Sequence, residues 1–182
     1  MGVMTTLPRG RALTVADIEA MPDDGQRYEL IDGVLVVSPT PEWRHQVVRD
    51  ELLRLLKAAT RPDIRVVGAP AAAIIDDRTW VGPDIFAASK SDFGQKYLDR
   101  PPLLAVEVLS PSNRLYDLNT KFDRYERAGV PSYWVVDPHE LRLVVWELVE
   151  GRYVEVADVG PSERWTATRP FGVTVCPGEL TD

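Results

Sequence analysis

The 182 residues are 45% apolar and 27% charged, a balance that excludes a disordered chain and leaves room for a substantial core. No apolar run approaches the roughly 18 residues of a membrane-crossing helix, and MGVMTTLPRG has no apolar signal core, so a cytoplasmic protein without a membrane partner is expected. The single cysteine, Cys176, excludes an internal disulfide or a cysteine zinc cluster, and the net charge of −7 argues against a generally basic nucleic-acid binder.

The charge is uneven: residues 137–182 hold nine acids and four bases, so the remainder of the chain stands at only −2. A polyanion surface must therefore be local and lie in the first three quarters. LTVADIEAMPDDG spells a short helix with Thr14 as N-cap and a stop at Pro22 and Gly25. RYELIDGVLVVS reads as a hairpin turning at Asp32-Gly33, the pair a type I′ turn favours. TPEWRHQVVRDELLRLLKAAT predicts a long helix with Thr40 as N-cap, Pro41 as its first residue and an apolar face of Val48, Leu52, Leu55, Leu56 and Ala59. IRVVG, AAAII, DIFAAS and LLAVEVLS follow as strands, with a polar loop, KSDFGQKYLDRPP, before the last. A helix over RLYDLNTKFDRYERAGV ends at Gly129, and SYWVVD, LRLVVWEL and RYVEVADV are strands, with VTVCP a short final one in which Cys176 is a small buried residue. The order predicts an α/β (α+β) domain with a mixed central sheet flanked by helices. No repeat or linker interrupts it, so a single domain over 1–182 is expected, its core at 13–148 and further strands at 149–182.

One residue is out of place. In LLAVEVLS, Glu107 interrupts the apolar run of a strand buried on both faces, and a buried carboxylate must be paired, hydrogen-bonded, neutralised or metal-bound. Asp84, just after Gly82-Pro83 at the start of another strand, is a candidate neighbour. Two carboxylates held close repel unless a cation lies between them, and hard oxygen donors favour Mg²⁺ or Mn²⁺. The alternative is a capped strand end with a salt bridge. On the following helix Leu118, Phe122 and Tyr125 share a face, and Lys121 borders it, placed either to point toward the acids or to snorkel out and pair with Asp117 four residues earlier. His45, in the first long helix, suits a phosphate or water at such a site or a plain helix surface. The same helix carries Arg44 and Arg49 on a face with net positive charge, the best backbone-contacting surface in the sequence. His139, after Asp137-Pro138, reads as a structural turn residue, and SYWVV as core aromatics.

YELIDG, Arg44-His45, Pro83-Asp84, VEVLSPSN, Lys121 with Tyr125, and GVPSYWVVDP occur in that order. Together, from about residue 13 to 148, they resemble the restriction-endonuclease-type family of the PD-(D/E)xK nuclease superfamily, long catalogued as a domain of unknown function. The resemblance implies a restriction-endonuclease-like fold in which Asp84 and Glu107 bind Mg²⁺, with Mn²⁺ a substitute, for phosphodiester hydrolysis. It implies the backbone carbonyl of Val108 as a further metal ligand and Glu29 as an additional acid near the site. One position departs from the pattern: the lysine expected two residues after Glu107 is Leu109, and the resemblance implies that Lys121 takes its role from the next helix.

The function so implied is a metal-dependent DNA endonuclease with Asp84, Glu107, Lys121 and Glu29 catalytic and Arg44, His45 and Arg49 contacting nucleic acid. Two strands of duplex need two sites, so a homodimer is expected. Relief of like charge predicts that Asp84→Ala or Glu107→Ala leaves the fold intact or more stable. Two other classes remain open at this level: an inactive nuclease fold that binds nucleic acid or protein, and a hydrolase of smaller phosphate esters.

Overall fold

The structure, a computed structural model, describes residues 10–21, 26–38, 40–111 and 113–181. Strand periodicity explains its centre. β7 (Leu104–Val108) is buried throughout and lies inside a six-stranded sheet. The order is β10 (Arg152–Val159), β9 (Arg142–Val149), β8 (Ser132–Asp137), β7, β6 (Ile85–Ser89) and β3 (Ile64–Gly68). Only β7 and β8 run parallel; the other neighbours are antiparallel. Alternate residues of β7 therefore serve two different cores. Leu104, Val106 and Val108 pack with Val48, Leu52 and Leu56 of α2 (Trp43–Ala59). Ala105 and Leu109 face the other way, into a core with Tyr125, Tyr133 and Val135. Glu107 shares that second face by parity, and it is the polar member of an otherwise apolar row.

The parallel pair needs a crossover, and the segment between β7 and β8 provides it. Residues Tyr116–Lys121 form a wide π-helical stretch that tightens into α3 (Phe122–Arg127). Gly129, at φ +78°, closes the helix in the left-handed conformation that glycine tolerates best.

A second, four-stranded sheet has the order β2 (Val34–Ser38), β1 (Arg27–Ile31), β5 (Thr79–Val81), β4 (Ala73–Asp76). Its β1–β2 hairpin turns at Asp32 (φ +52°) and Gly33 (φ +79°), as the Asp-Gly pair predicts. The third sheet pairs β11 (Trp165–Ala167) with β12 (Val173–Val175). Ala167, Val173 and Val175 join the α2 core, so the last strands complete the hydrophobic interior. Cys176 is buried just after β12.

Several expectations shift in detail. α1 is the short helix Val15–Glu19 with Thr14 as N-cap; the stop assigned to Pro22 and Gly25 lies outside the described residues. α2 begins at Trp43 with Glu42 as N-cap, rather than at Pro41 after Thr40. Glu42 keeps extended backbone (ψ 157°), because residues 40–42 run along the wall of a pocket before the helix starts. β5 and β11 are strands of three residues, too short to show a period in sequence.

Candidate functional site

The antiparallel register that pairs Ile85 with Val106 puts Asp84, one step on, opposite Glu107. The two acids thus come from adjacent strands, at the carboxyl end of β7. Glu29 of β1 joins them, and so does Lys121. These four side chains are between 2 and 4% exposed.

Lys121 Nζ is the hub. It lies 3.0 Å from Glu107 Oε1, 3.1 Å from Glu29 Oε1 and 3.5 Å from Asp117 Oδ1. A regular helix would leave Lys121 bordering the apolar face. The π-helical stretch has more residues per turn and turns Asp117 and Lys121 fully inward. Tyr133 of β8 pins the stretch by donating its hydroxyl to the Asp117 carbonyl at 3.0 Å. Both sequence alternatives for Lys121 are partly realised: it points to the acids and it pairs with Asp117. Leu109, where the motif lysine was expected, is buried among Tyr125 and Val135, so that position is spent on packing.

Asp84 is held by other partners. His45 Nε2 donates to its Oδ2 at 3.1 Å, the Val108 N–H donates to the same oxygen at 2.9 Å, and Arg27 Nη1 is 3.4 Å from Oδ1. Arg27 also donates to the Gly82 carbonyl, and the Gly82 N–H donates to Glu29 Oε1 at 2.8 Å. The Gly82-Pro83 turn is thereby tied to both acids it separates. His45 Nδ1 is buried without a hydrogen-bond partner among the described residues. Tyr125 donates its hydroxyl to Glu107 Oε1 at 3.0 Å.

The electrostatics follow from this uneven sharing. Burial works to raise the Asp84 carboxyl, but the bond and charge of His45, with Arg27 and the Val108 N–H, bring it down to about 2. Glu107 goes the other way. Burial, with Asp117, Asp84 and Glu29 nearby, pushes it well above the usual carboxylate range despite Lys121. Asp117 is raised to about 6, chiefly by burial. For Lys121 burial is outweighed by the four acids around it, and its pKa rises well above the ordinary value. Four buried carboxylates share one lysine, one arginine and one histidine, so the cluster is short of positive charge.

Asp84, Glu107, Glu29, Lys121, His45 and Arg27 line one pocket of about 220 Å³, together with residues 40–42 and with Ser110, Pro111 and Asn113. Among the described residues no three His, Cys, Asp or Glu side chains form a ready metal-ligating group. The donor chemistry nevertheless suits a hard cation that uses two protein carboxylates and keeps waters, as Mg²⁺ does. Asp84 and Glu107, opposite each other on adjacent strands, are the two carboxylates that such an ion would use.

Of the sequence candidates, Asp84, Glu107, Glu29, Lys121 and His45 converge in the pocket. Val108 is fully buried beside it and contributes its N–H. Arg44 and Arg49 do not line the pocket, and Arg49 is engaged with Asp50 at 2.7 Å. Arg27 was missed; nothing in RYELIDG marks an arginine at a strand start as inward-facing. His139 stays at the surface, 3.6 Å from Glu42. No helix among the described residues is long and apolar enough to cross a membrane.

Among solved structures, "a putative nuclease belonging to DUF820 from Anabaena variabilis ATCC 29413" has a similar fold. Its TM-score is 0.75 at 16% identity, covering 93% of this chain and 97% of that one. No curated protein matches the sequence. The family described as "Putative restriction endonuclease", Uma2, matches residues 15–177. That span takes in all three sheets, the crossover and every residue of the pocket, and the chain belongs to this family.

Proposed function

We propose that the protein is a metal-dependent endonuclease that hydrolyses phosphodiester bonds of DNA at the pocket that holds Asp84, Glu107 and Lys121. The observation that carries the reading is the hub at Lys121: one buried ammonium within 3.1 Å of both Glu107 and Glu29, in a pocket shared with Asp84. Buried carboxylates in excess of their cations cost stability unless function retains them.

In this reading Asp84 and Glu107 hold Mg²⁺, with Mn²⁺ as a substitute and the Val108 carbonyl as a further ligand. Bound there, the ion would polarise the phosphate and acidify a water. Lys121 orients the attacking water and offsets negative charge building on the phosphate oxygens. Glu29 and Tyr125 fix where Lys121 and Glu107 point, and His45 with Arg27 keeps Asp84 ionised and aimed. The family name and the shared fold support a nuclease; the choice of DNA rests on the family's description.

Plasmid and oligonucleotide cleavage in Mg²⁺, Mn²⁺ or EDTA tests this. Cleavage is expected with either ion, none with EDTA, and none in Asp84→Ala. Lys121→Ala should lose about a hundredfold or more, the usual effect of removing a charge-stabilising group. Full activity in Asp84→Ala would end the assignment.

A further inference from the structure

Lys121 bridges two carboxylates as a metal ion would. Its Nζ lies 3.0 Å from Glu107 Oε1 and 3.1 Å from Glu29 Oε1. The bridged oxygens are then full, since a carboxylate oxygen offers about two acceptor positions. Glu107 Oε1 also accepts the Tyr125 hydroxyl at 3.0 Å, and Glu29 Oε1 the Gly82 N–H at 2.8 Å. Asp84 Oδ2 is filled in the same way, by His45 Nε2 at 3.1 Å and the Val108 N–H at 2.9 Å. Asp84 Oδ1 and Glu107 Oε2 lie outside these pairs. One oxygen from each of two acids, with waters for the rest, is the donor set of a single hard cation.

Resting on the nuclease reading above, we propose that the centre takes one divalent cation and that the Lys121 ammonium occupies the place of a second, between Glu107 and Glu29. Two-ion phosphodiester centres set their cations about 3.5–4 Å apart, so a second ion would need the acids that flank the first. Here those acids are Glu107 and Glu29, and each turns an oxygen already filled by donors toward the lysine. Lys121 is also held there. The π-helical stretch turns it inward, and the Tyr133 hydroxyl pins that stretch at the Asp117 carbonyl. The charge agrees. Glu29, Asp84, Glu107 and Asp117 face Lys121, Arg27 and His45, and one divalent ion covers the shortfall. A second would leave the buried centre net positive before any phosphate arrives, and uncompensated buried charge is costly.

The test counts Mn²⁺ bound per full chain, by calorimetric titration and equilibrium dialysis in about 0.15 M salt, which screens surface acids. Nucleic-acid cleavage is assayed on the same preparations. Wild type should bind one ion, and Glu29→Gln should also bind one, because Glu29 holds the lysine and not a metal. Lys121→Ala frees the acids around it and should bind two; adding Glu29→Gln to it should return the count to one. The wild-type and Glu29→Gln counts decide the matter even where Lys121→Ala fails to fold, which circular dichroism in EDTA reports. Two ions on wild type, falling to one in Glu29→Gln, would overturn the proposal and leave the nuclease standing. A folded Lys121→Ala that still binds one ion would overturn it as well. One ion on wild type without cleavage of any nucleic acid would support the count and remove the nuclease reading. Wild type that binds no Mn²⁺ would remove both.

Discussion

Asp84 and Glu107 face each other across two strands, yet their charges are secured in different ways. Asp84 accepts from His45 and the Val108 N–H and lies beside Arg27, whereas Glu107 shares a single lysine with Glu29 and Asp117. The expectation that losing either acid leaves the fold as stable or more so therefore divides. Asp84→Ala should cost about 2–3 kcal/mol at neutral pH, since a carboxyl held near 2 contributes its pairing above the unfolded value and strands His45 and Arg27 when removed. Glu107→Gln should raise the melting temperature of the metal-free protein, because it removes a charge that burial disfavours. Thermal melts of both variants in EDTA check the pair; equal shifts of one sign would contradict it. Asp117, together with the raised Glu107, sets the pH dependence. Its folded value of about 6 lies above the unfolded 3.8, so the folded state binds a proton that the unfolded chain has released. Metal-free stability should fall as pH rises from about 4 to 6, the Asp117 share being up to about 3 kcal/mol, and Asp117→Asn should lessen that slope in melts across the range. Glu107 was legible in sequence because it breaks an apolar strand, and Asp84 because it follows Gly82-Pro83 at the start of one. Arg27 was not, because it enters the pocket from the second sheet; Asp117 was read only as a partner for Lys121, and its inward turn comes from a change of helical pitch that residue type does not signal.

At the level of elements, the β1–β2 hairpin decides where Glu29 stands. A Cβ on Gly33 would lie 2.6 Å from the Ala12 Cβ and 2.9 Å from the Leu13 carbonyl oxygen, at a φ of +79°. Gly33→Ala should thus cost about 1–3 kcal/mol in denaturant unfolding and reduce cleavage by shifting Glu29 off Lys121. Wild-type stability in that variant would mean the hairpin is adaptable and Glu29 dispensable. The long elements were readable because their signals agree. α2 has its apolar face, β7 and β8 their largely apolar runs, and the β1–β2 hairpin its Asp-Gly turn. The start of α2 was misplaced because Thr40-Pro41 is good capping chemistry that the pocket wall overrides. The wide turn at residues 116–121 was invisible because its sequence is also that of an ordinary helix.

For the molecule as a whole, a net charge of −7 must still admit a polyanion. Lys121 and Arg27 are committed to carboxylates, and Arg49 to Asp50, which leaves few cations near the rim. Binding should therefore involve about two or three phosphates, giving a slope near −2 for log K against log salt with a single strand. Anisotropy titrations over a salt series would show it; a slope near −6 would overturn it. The crossover has one more consequence, for partial chains. Glu29, His45, Asp84, Glu107, Asp117 and Lys121 all lie within the first 121 residues, but Tyr133, which clamps the turn bearing the lysine, and the β8 strand that β7 pairs with come later. A nascent or truncated polypeptide ending before residue 132 would hold every charged group of the centre with no means of keeping them together. On the proposed nuclease reading, a chain lacking β8 should therefore show no cleavage.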